Sequence, residues 1–190
     1  MKAHNNGQGE IADAVLLLGK LMRKSLERSN EKVPLSDEIE RVKCYLEIQK
    51  FRFGDRLTFH LNIESKVMRC LVFPFVLQPI VENAVIHGLE CKEGAGTVTV
   101  IGKETDGMLS IVVVDNGVGI QEDRLQQIAK RLSEPEDRDG NETESRIGLR
   151  NVHQRIQLSY GKEYGLSIES IKGTGTVVAI TMPAEEDSRV

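Results

Sequence analysis

Apolar residues follow two different periods along this chain, and the periods predict which segments are helices and which are strands. In residues 11–26 and again in residues 36–53, apolar side chains recur every three or four positions, which predicts two amphipathic helices. Ser36 is the expected N-cap of the second helix, and Gly54 is expected to end it. Residues 57–63 alternate apolar and polar side chains, which predicts a half-buried strand.

The densest apolar segment, residues 73–88, predicts a buried helix of about four turns. Pro74 can occupy its first turn and Gly88 can end it, because proline suits a helix start and glycine suits a helix end. Pro79 predicts either a kink or a late start, since proline lacks the N–H that a helix interior needs.

The remaining pattern predicts two hairpins and two helices. The strand segments are short apolar runs bounded by glycine-containing turns, and they are residues 97–101, 109–114, 166–171 and 176–181. Residues 121–132 and 148–156 are the predicted helices. Between them, residues 133–145 are almost wholly polar, so we expect either a disordered surface loop or a mobile lid. The acidic end from Pro183 onward is expected to fray.

Composition narrows the classes of function. The 190 residues suit one medium domain with a small helical appendage, and a net charge of -4 gives no electrostatic case for binding nucleic acid or an anionic membrane. Any phosphate site must therefore be local. No apolar run approaches the roughly 18 to 20 residues of a membrane span, so we expect a cytoplasmic chain without direct membrane contact. Three widely spaced cysteines support neither a disulfide framework nor a thiolate metal site.

A carboxylate followed by two glycines ends the predicted strand at residues 109–114. Asp115, Gly117 and Gly119 form the pattern Asp-x-Gly-x-Gly. Such a carboxylate can accept a hydrogen bond from an exocyclic amino group like that of adenine, while the glycines let the backbone approach a ligand. Guanine would offer a carbonyl oxygen and be rejected. Alone the pattern is weak, because a strand followed by an Asn-Gly turn is common.

Three further motifs share the chain with this one, each at a boundary between elements: Glu82-Asn83-x-x-x-His87, Gly148-Leu149-Arg150-Asn151 and Gly173-Thr174-Gly175-Thr176. Gly148 is expected to begin a helix whose free N–H groups suit a phosphate. In their order, the four motifs resemble the N box, the two glycine boxes and the closing Gly-x-Gly of the GHKL superfamily, which includes DNA gyrase B, the Hsp90 chaperones and sensor histidine kinases. The segments around Asn83 and Gly148 are most similar to the LytS/YehU-type sensor kinases.

The resemblance covers residues 11–183 and implies an α/β (α+β) fold. Helices would cover one face of a mixed β-sheet in a two-layer sandwich, preceded by a short helical segment, with ATP lying between the layers. Residues 1–54 would be a remnant of the dimerisation and phosphoacceptor helices, residues 55–184 the ATPase domain, and residues 185–190 a flexible tail.

The resemblance also implies roles for single residues. Asn83 would ligate Mg²⁺ through its side-chain oxygen, and Asp115 would bind the adenine amino group. Glu82 would orient the metal's waters or accept a proton, or else be a solvated carboxylate; His87 would donate to a phosphate oxygen or merely close the helix. The other expected contacts lie along the phosphates or at the adenine end, and they are Gly117, Gly119, Ile120, Gly148, Leu149, Arg150, Gly173, Gly175 and Thr176.

Two positions depart from the pattern of these kinases. Ile86 stands where many relatives have lysine, and Arg146 stands where they have glycine. The first change removes a possible phosphate cation and the second stiffens the hinge of the lid. Weak nucleotide affinity is therefore expected, with Arg150, Lys92 and His87 as candidate substitutes for the missing cation.

The Pro-His-Phe-Leu-Phe-Asn motif that carries the phosphorylated histidine in these kinases is absent from this sequence. His4 is followed by Asn5-Asn6-Gly7 and does not match that motif. Core or surface roles are expected for His60 and His153. We therefore expect the ATP-binding catalytic domain of a two-component sensor histidine kinase. It would transfer the γ-phosphoryl group to a histidine on a segment that this chain lacks, and from there to a response regulator. The parent would be a membrane-anchored homodimer.

Two alternatives remain from the sequence. One is a serine kinase of the anti-sigma type or a free-standing ATPase with the same fold. The other is a non-catalytic scaffold that dimerises through the apolar stripe of residues 11–26. Binding of an ATP analogue separates the scaffold from the enzymes.

Overall fold

A computed structural model describes residues 31–133 and 144–186 of the chain. The predicted helix at residues 11–26 lies outside this part, as do His4 and nearly all of the predicted loop or lid. In chain order the main elements are β1 (Val33–Pro34), α1 (Leu35–Phe53), β2 (Leu57–Ile63), β3 (Leu71–Val72), α2 (Gln78–Asn83, continued by a π-helical turn at Ala84–Leu89), β4 (Gly96–Thr105), β5 (Met108–Asp115), α3 (Glu122–Ser133), α4 (Glu144–Tyr160), β6 (Gly165–Ile171) and β7 (Gly175–Pro183).

Five strands form one mixed sheet in the order β2-β4-β5-β7-β6. The β2–β4 pair is parallel and the other three pairs are antiparallel. Buried and partly exposed residues alternate along β4, β5 and β7, so one face of the sheet carries the core. Helical residues join the same apolar cluster on that face. The predicted two-layer α/β sandwich is confirmed. No helix in the described segments is both long and apolar enough to cross a bilayer.

Helix α1 belongs to this core. Its apolar stripe, which includes Leu35, Val42 and Leu46, is fully buried with the sheet residues. Within the described residues, α1 and the sheet therefore share one hydrophobic cluster. The helix ends at Gly54 as expected, where φ is +59°. It begins at Leu35, so the prediction of Ser36 as the N-cap is wrong; its hydroxyl bonds to Asp37 instead.

A fully buried carboxylate on α1 holds the chain that leads into α2. Glu38 accepts hydrogen bonds from the backbone N–H groups of Phe75 (3.0 Å) and Leu77 (3.3 Å). The Nε of Arg41 also donates to it, at 3.1 Å. Phe75 has φ of +62°, a conformation that costs energy for a bulky side chain. The Glu38 carboxylate therefore fixes a strained turn immediately before α2.

The late start predicted by Pro79 for α2 is confirmed, because the helix begins at Gln78. The end predicted at Gly88 is wrong, since this glycine lies inside the π-helical turn that continues to Leu89. This position requires glycine for a reason other than ending the helix. A Cβ atom on Gly88 would lie 2.8 Å from Oδ1 of Asp115, so only glycine lets α2 approach the end of β5 this closely.

The expected fraying from Pro183 onward is wrong for the described residues of the C-terminal end. The Glu185 carbonyl accepts a hydrogen bond of 2.7 Å from the backbone N–H of Leu71, and Cys70 forms a β-bridge with Glu186. Lys32 forms an ion pair with the Glu185 side chain. Composition alone favoured a loose end, because it does not reveal that β3 leaves backbone groups for this segment to satisfy.

Candidate nucleotide-binding site

A cavity of about 580 Å³ lies between the helices and the sheet, a size typical of a small-molecule site. Its floor includes Val113 of β5, Val178 of β7 and Ile168 of β6. Helices α2, α3 and α4 form its walls. The cavity brings together eight of the predicted site residues, which are Asn83, His87, Asp115, Gly119, Ile120, Leu149, Arg150 and Thr176. The other five do not line it, and they are Glu82, Gly117, Gly148, Gly173 and Gly175.

Asp115 ends β5 and is 7% exposed. Its Oδ1 accepts a hydrogen bond of 2.8 Å from the backbone N–H of Gly117, and it pairs with Thr176 of β7. Burial raises the pKa of this carboxyl above its usual range, while backbone hydrogen bonds from Gly117 and Thr176 oppose that shift. An ionised carboxylate has about four lone-pair positions, so Asp115 retains accepting capacity for a group in the cavity.

The glycines beside Asp115 allow close contacts between backbone segments. A Cβ atom on Gly117 would lie 2.4 Å from the carbonyl oxygen of Gly88, and one on Gly119 would lie 2.1 Å from the carbonyl oxygen of Ile171. Gly119 also has φ of +64°, which disfavours any other residue. The glycines therefore shape the loop after β5, and only Gly119 itself reaches the cavity.

Ser170 of β6, which the sequence analysis did not identify, joins the loops at this end of the cavity. Its hydroxyl donates to the Gly175 carbonyl at 2.8 Å and accepts from the backbone N–H of Ile120 at 2.8 Å. Because its proton is used in that first bond, the Thr176 hydroxyl donates to Ser170 across 2.9 Å. This network fixes the cavity-lining Thr176 beside Asp115.

Asn83 and His87 lie one helical turn apart on the cavity side of α2. The Asn83 Nδ2 atom is buried and has no hydrogen-bond partner among the described residues, which fits a side chain prepared for a polar ligand. An amide oxygen is a hard donor that suits Mg²⁺. No group of three or more His, Cys, Asp or Glu side chains converges within residues 31–133 and 144–186.

Glu82 and Ile86 lie outside the cavity. The Glu82 carboxylate accepts a hydrogen bond of 2.7 Å from Gln78. Burial, followed by the charge of Glu82, raises the pKa of Tyr45 on α1, so this carboxylate is near the α1 side of α2. The position of Glu82 gives no support to contact with metal-bound water. Ile86 is 42% exposed and does not line the cavity.

The two other candidate cations differ in their surroundings. The Lys92 ammonium donates to the Asn116 carbonyl at 2.6 Å and does not line the cavity, whereas Arg150 does.

Helix α4 begins at Glu144, so the expectation that Gly148 starts it is wrong. The Gly148 N–H is the fifth of the helix, beyond the four that lack intrahelical partners. Gly148 instead packs near Pro79, where a Cβ atom would lie 3.0 Å from Pro79 Cβ.

Helix α3 contributes cavity residues that the sequence analysis did not single out. They are spaced by three or four positions along one face of the helix, and they are Arg124, Gln127, Ile128, Arg131 and Leu132. Two apolar residues share one face of this otherwise polar helix with two arginines. That pattern could have predicted that this face lines a site. Cys91, at the end of α2, also lines the cavity and is exposed.

Comparison with known families agrees with this geometry. The family model described as histidine kinase-, DNA gyrase B- and HSP90-like ATPase matches residues 74–186, and a histidine kinase model matches residues 1–57. The chain belongs to this ATPase family. It carries an ATP-binding catalytic domain of the sensor histidine kinase type, as the motifs predicted.

Related proteins and solved structures are consistent with that membership. The chain is 34% identical to the sensor histidine kinase YesM of Bacillus subtilis over 97% of its own length and 30% of the relative's. It is 34% identical to the sensor histidine kinase YpdA of Escherichia coli, over 87% of this chain and 27% of that protein. The chain thus spans less than a third of these relatives.

Two solved structures share the fold. The catalytic domain of histidine kinase ThkA has a TM-score of 0.58 at 15% identity, covering 82% of this chain and 97% of that one. The histidine kinase domain of a blue-light activated kinase from Erythrobacter litoralis has a TM-score of 0.55 at 18% identity, covering 93% and 74%.

Proposed function

We propose that this domain positions Mg-ATP for transfer of its γ-phosphoryl group to a histidine of a sensor kinase. The observation that carries the proposal is that Asp115, at the end of β5, and Asn83, on α2, line one cavity. The first has the chemistry to accept from the adenine amino group, and the second has the oxygen donor that Mg²⁺ prefers.

In this proposal the chain contributes positioning and charge neutralisation and no covalent nucleophile, as is usual for phosphoryl transfer. Bound Mg²⁺ would supply positive charge at the phosphates. Asp115 and Thr176 hold the adenine end, while Asn83, His87 and Arg150 meet the metal and the phosphates. Gly117, Gly148, Gly173 and Gly175 support backbone shape. Glu82 has no catalytic role in the proposal, because it lies outside the cavity.

The histidine that receives the phosphoryl group is proposed to lie outside this sequence. His60 is exposed on β2, and His153 is buried with its Nδ1 accepting from the backbone N–H of Leu166. Neither lines the cavity, and His87 is already used for nucleotide contact. We propose that the parent sensor is a membrane-anchored homodimer that pairs through segments including part of residues 1–54. It passes the phosphoryl group to a response regulator in the cytoplasm.

Two experiments test this proposal. Calorimetry with a non-hydrolysable ATP analogue should show saturable binding, and the affinity should increase when Mg²⁺ is added. Incubation with γ-labelled ATP and Mg²⁺ should leave this chain unlabelled. An absence of heat at millimolar analogue with the fold intact contradicts nucleotide binding and favours a scaffold. Acid-labile phosphate on His4, His60, His87 or His153 contradicts the proposed location of the acceptor.

A further inference from the structure

The cavity wall formed by α3 carries positive charge. Arg124 and Arg131 are seven residues apart, so they lie on the same face of the helix, and both line the cavity. Both are exposed, and neither makes a hydrogen bond or ion pair with another described residue. Leu132, which is buried, anchors the C-terminal end of the same face. These two guanidinium groups are therefore available to a ligand in the cavity.

The charge of the cavity opposes the charge of the chain. The 190 residues carry a net charge of -4, yet among residues 31–133 and 144–186 the charged side chains lining the cavity are three arginines, Arg124, Arg131 and Arg150, and one carboxylate, Asp115. Low-dielectric walls lined by one sign of charge raise the local concentration of ions of the opposite sign. The cavity thus favours an anionic ligand, and the single carboxylate lies where an amino group would bind.

The two arginines of α3 lie at different separations from that carboxylate along the chain, nine residues after it for Arg124 and sixteen for Arg131. The helix begins three residues after Gly119, in the loop that follows Asp115, and it packs against β6 and α4. Seven residues of helix span roughly 10 Å. We infer that Arg124, in the first turn beside the loop from Asp115, is nearer the adenine end and that Arg131, in the last turn, is farther from it. At the wall formed by α4, Arg150 supplies the third guanidinium.

We propose that Arg131 is a phosphate-binding residue that contacts the terminal phosphates of the nucleotide across the cavity from α2. The inference rests on the proposed function and assigns to α3 a cation that Ile86 does not supply. A guanidinium presents a planar set of N–H donors that can bind two phosphate oxygens at once. Arg124, at the other end of α3, is not placed to bind the same phosphates.

The test compares AMP with a non-hydrolysable ATP analogue by calorimetry on the whole chain. Arg131→Gln should weaken binding of the ATP analogue about tenfold or more, because a charged hydrogen bond is lost, and should change AMP affinity less than about twofold. Arg131→Lys should recover part of the loss. Lys130→Gln is the matched control, since it removes the same charge one residue away from the cavity-facing stripe.

The outcomes are separable. An unchanged ratio of ATP-analogue to AMP affinity in Arg131→Gln, while the wild type binds both, overturns the role of Arg131 and leaves the proposed function intact. An equal loss in Lys130→Gln also overturns it, because the effect would then be long-range charge alone. If the folded wild type binds neither nucleotide, the proposed function fails and this inference fails with it.

Discussion

Two buried carboxylates, Glu38 on α1 and Asp115 on β5, have different surroundings. Glu38 is 0% exposed and accepts from two backbone N–H groups and from Arg41. Asp115 is 7% exposed, accepts from Gly117 and lines the cavity. Burying a charge is costly unless partners compensate it. The enclosed carboxylate therefore holds the fold together, whereas the one that opens onto a cavity is suited to recognise a ligand.

The two regions are also connected. Glu38 holds the turn at residues 75–77, and α2 begins directly after that turn with Asn83 and His87 on its cavity side. Gly88 on the same helix lies against the Asp115 carboxylate. The structural carboxylate thus helps to set where α2 lies relative to the ligand-facing one.

The largest expected effect is that of Glu38→Ala, which should lower the free energy of unfolding by about 3–5 kcal/mol, because it leaves Arg41 and two backbone N–H groups without their acceptor. Urea unfolding measures the change. Glu47→Ala is the control on the same helix, since it removes only an exposed pair with Lys43 and should cost less than about 1 kcal/mol. A similar small loss for both variants would contradict the structural role of Glu38.

Asp115→Asn should have the opposite profile. Stability should change by less than about 1.5 kcal/mol, because asparagine keeps an acceptor for the Gly117 N–H and removes a charge whose burial is unfavourable. Affinity for an ATP analogue should fall roughly tenfold to a hundredfold, as expected for loss of one hydrogen bond to a charged acceptor. Thermal unfolding and calorimetry on the same sample provide both values. A large loss of stability with unchanged affinity would reverse the roles assigned to the two carboxylates.

These roles show what the sequence could and could not predict. Local signals were sufficient for the strands, since alternation is visible in single segments, and for the turn at Asp106-Gly107, where φ is +53° and +77°. The motifs predicted Asn83 and Asp115 as site residues, and both line the cavity. The hydrogen bonds from Phe75 and Leu77 to Glu38 join residues that are 37 and 39 positions apart in the sequence. No local sequence pattern reveals such contacts.

The errors have the same physical origin. The sequence predicts a helix end at Gly88 and a helix start at Gly148, because glycine is common at helix termini. In the structure both lie inside helices, where they permit close packing against Asp115 and Pro79. A glycine required by tertiary packing has the same appearance in a sequence as one required by backbone conformation.

His153 provides a third buried ionisable group and a pH dependence of stability. Burial lowers its pKa below the ordinary value, and its Nδ1 must be unprotonated to accept from Leu166. The unfolded chain therefore binds the proton more readily than the folded chain. Stability should be full above about pH 6.5 and should decline as the pH falls below that value.

Melting temperatures between pH 7.5 and pH 5.5 check this expectation. His153→Asn should flatten the decline, while His60→Asn, at an exposed position on β2, should leave it in place. An equal slope in the wild type and in His153→Asn would show that other groups are responsible.

The smallest expected effect is that of Ile86→Lys. Because Ile86 lies outside the cavity, an added lysine should change the affinity for an ATP analogue by less than about threefold, which is the size of a weak long-range charge effect. Calorimetry at two salt concentrations measures it. A gain of tenfold or more would mean that this position reaches the phosphates and that the boundary of the cavity differs in the bound state.

We propose that Asp115 recognises the amino face of adenine, and binding of non-hydrolysable analogues of ATP and GTP to the wild type and to Asp115→Asn tests this directly. The wild type should bind the ATP analogue at least about tenfold more tightly than the GTP analogue. The guanine carbonyl oxygen and the Asp115 carboxylate are both hydrogen-bond acceptors, so they cannot bond to each other. In Asp115→Asn that preference should largely disappear, since the asparagine amide can also donate. Equal affinity of the wild-type protein for both analogues would contradict the account.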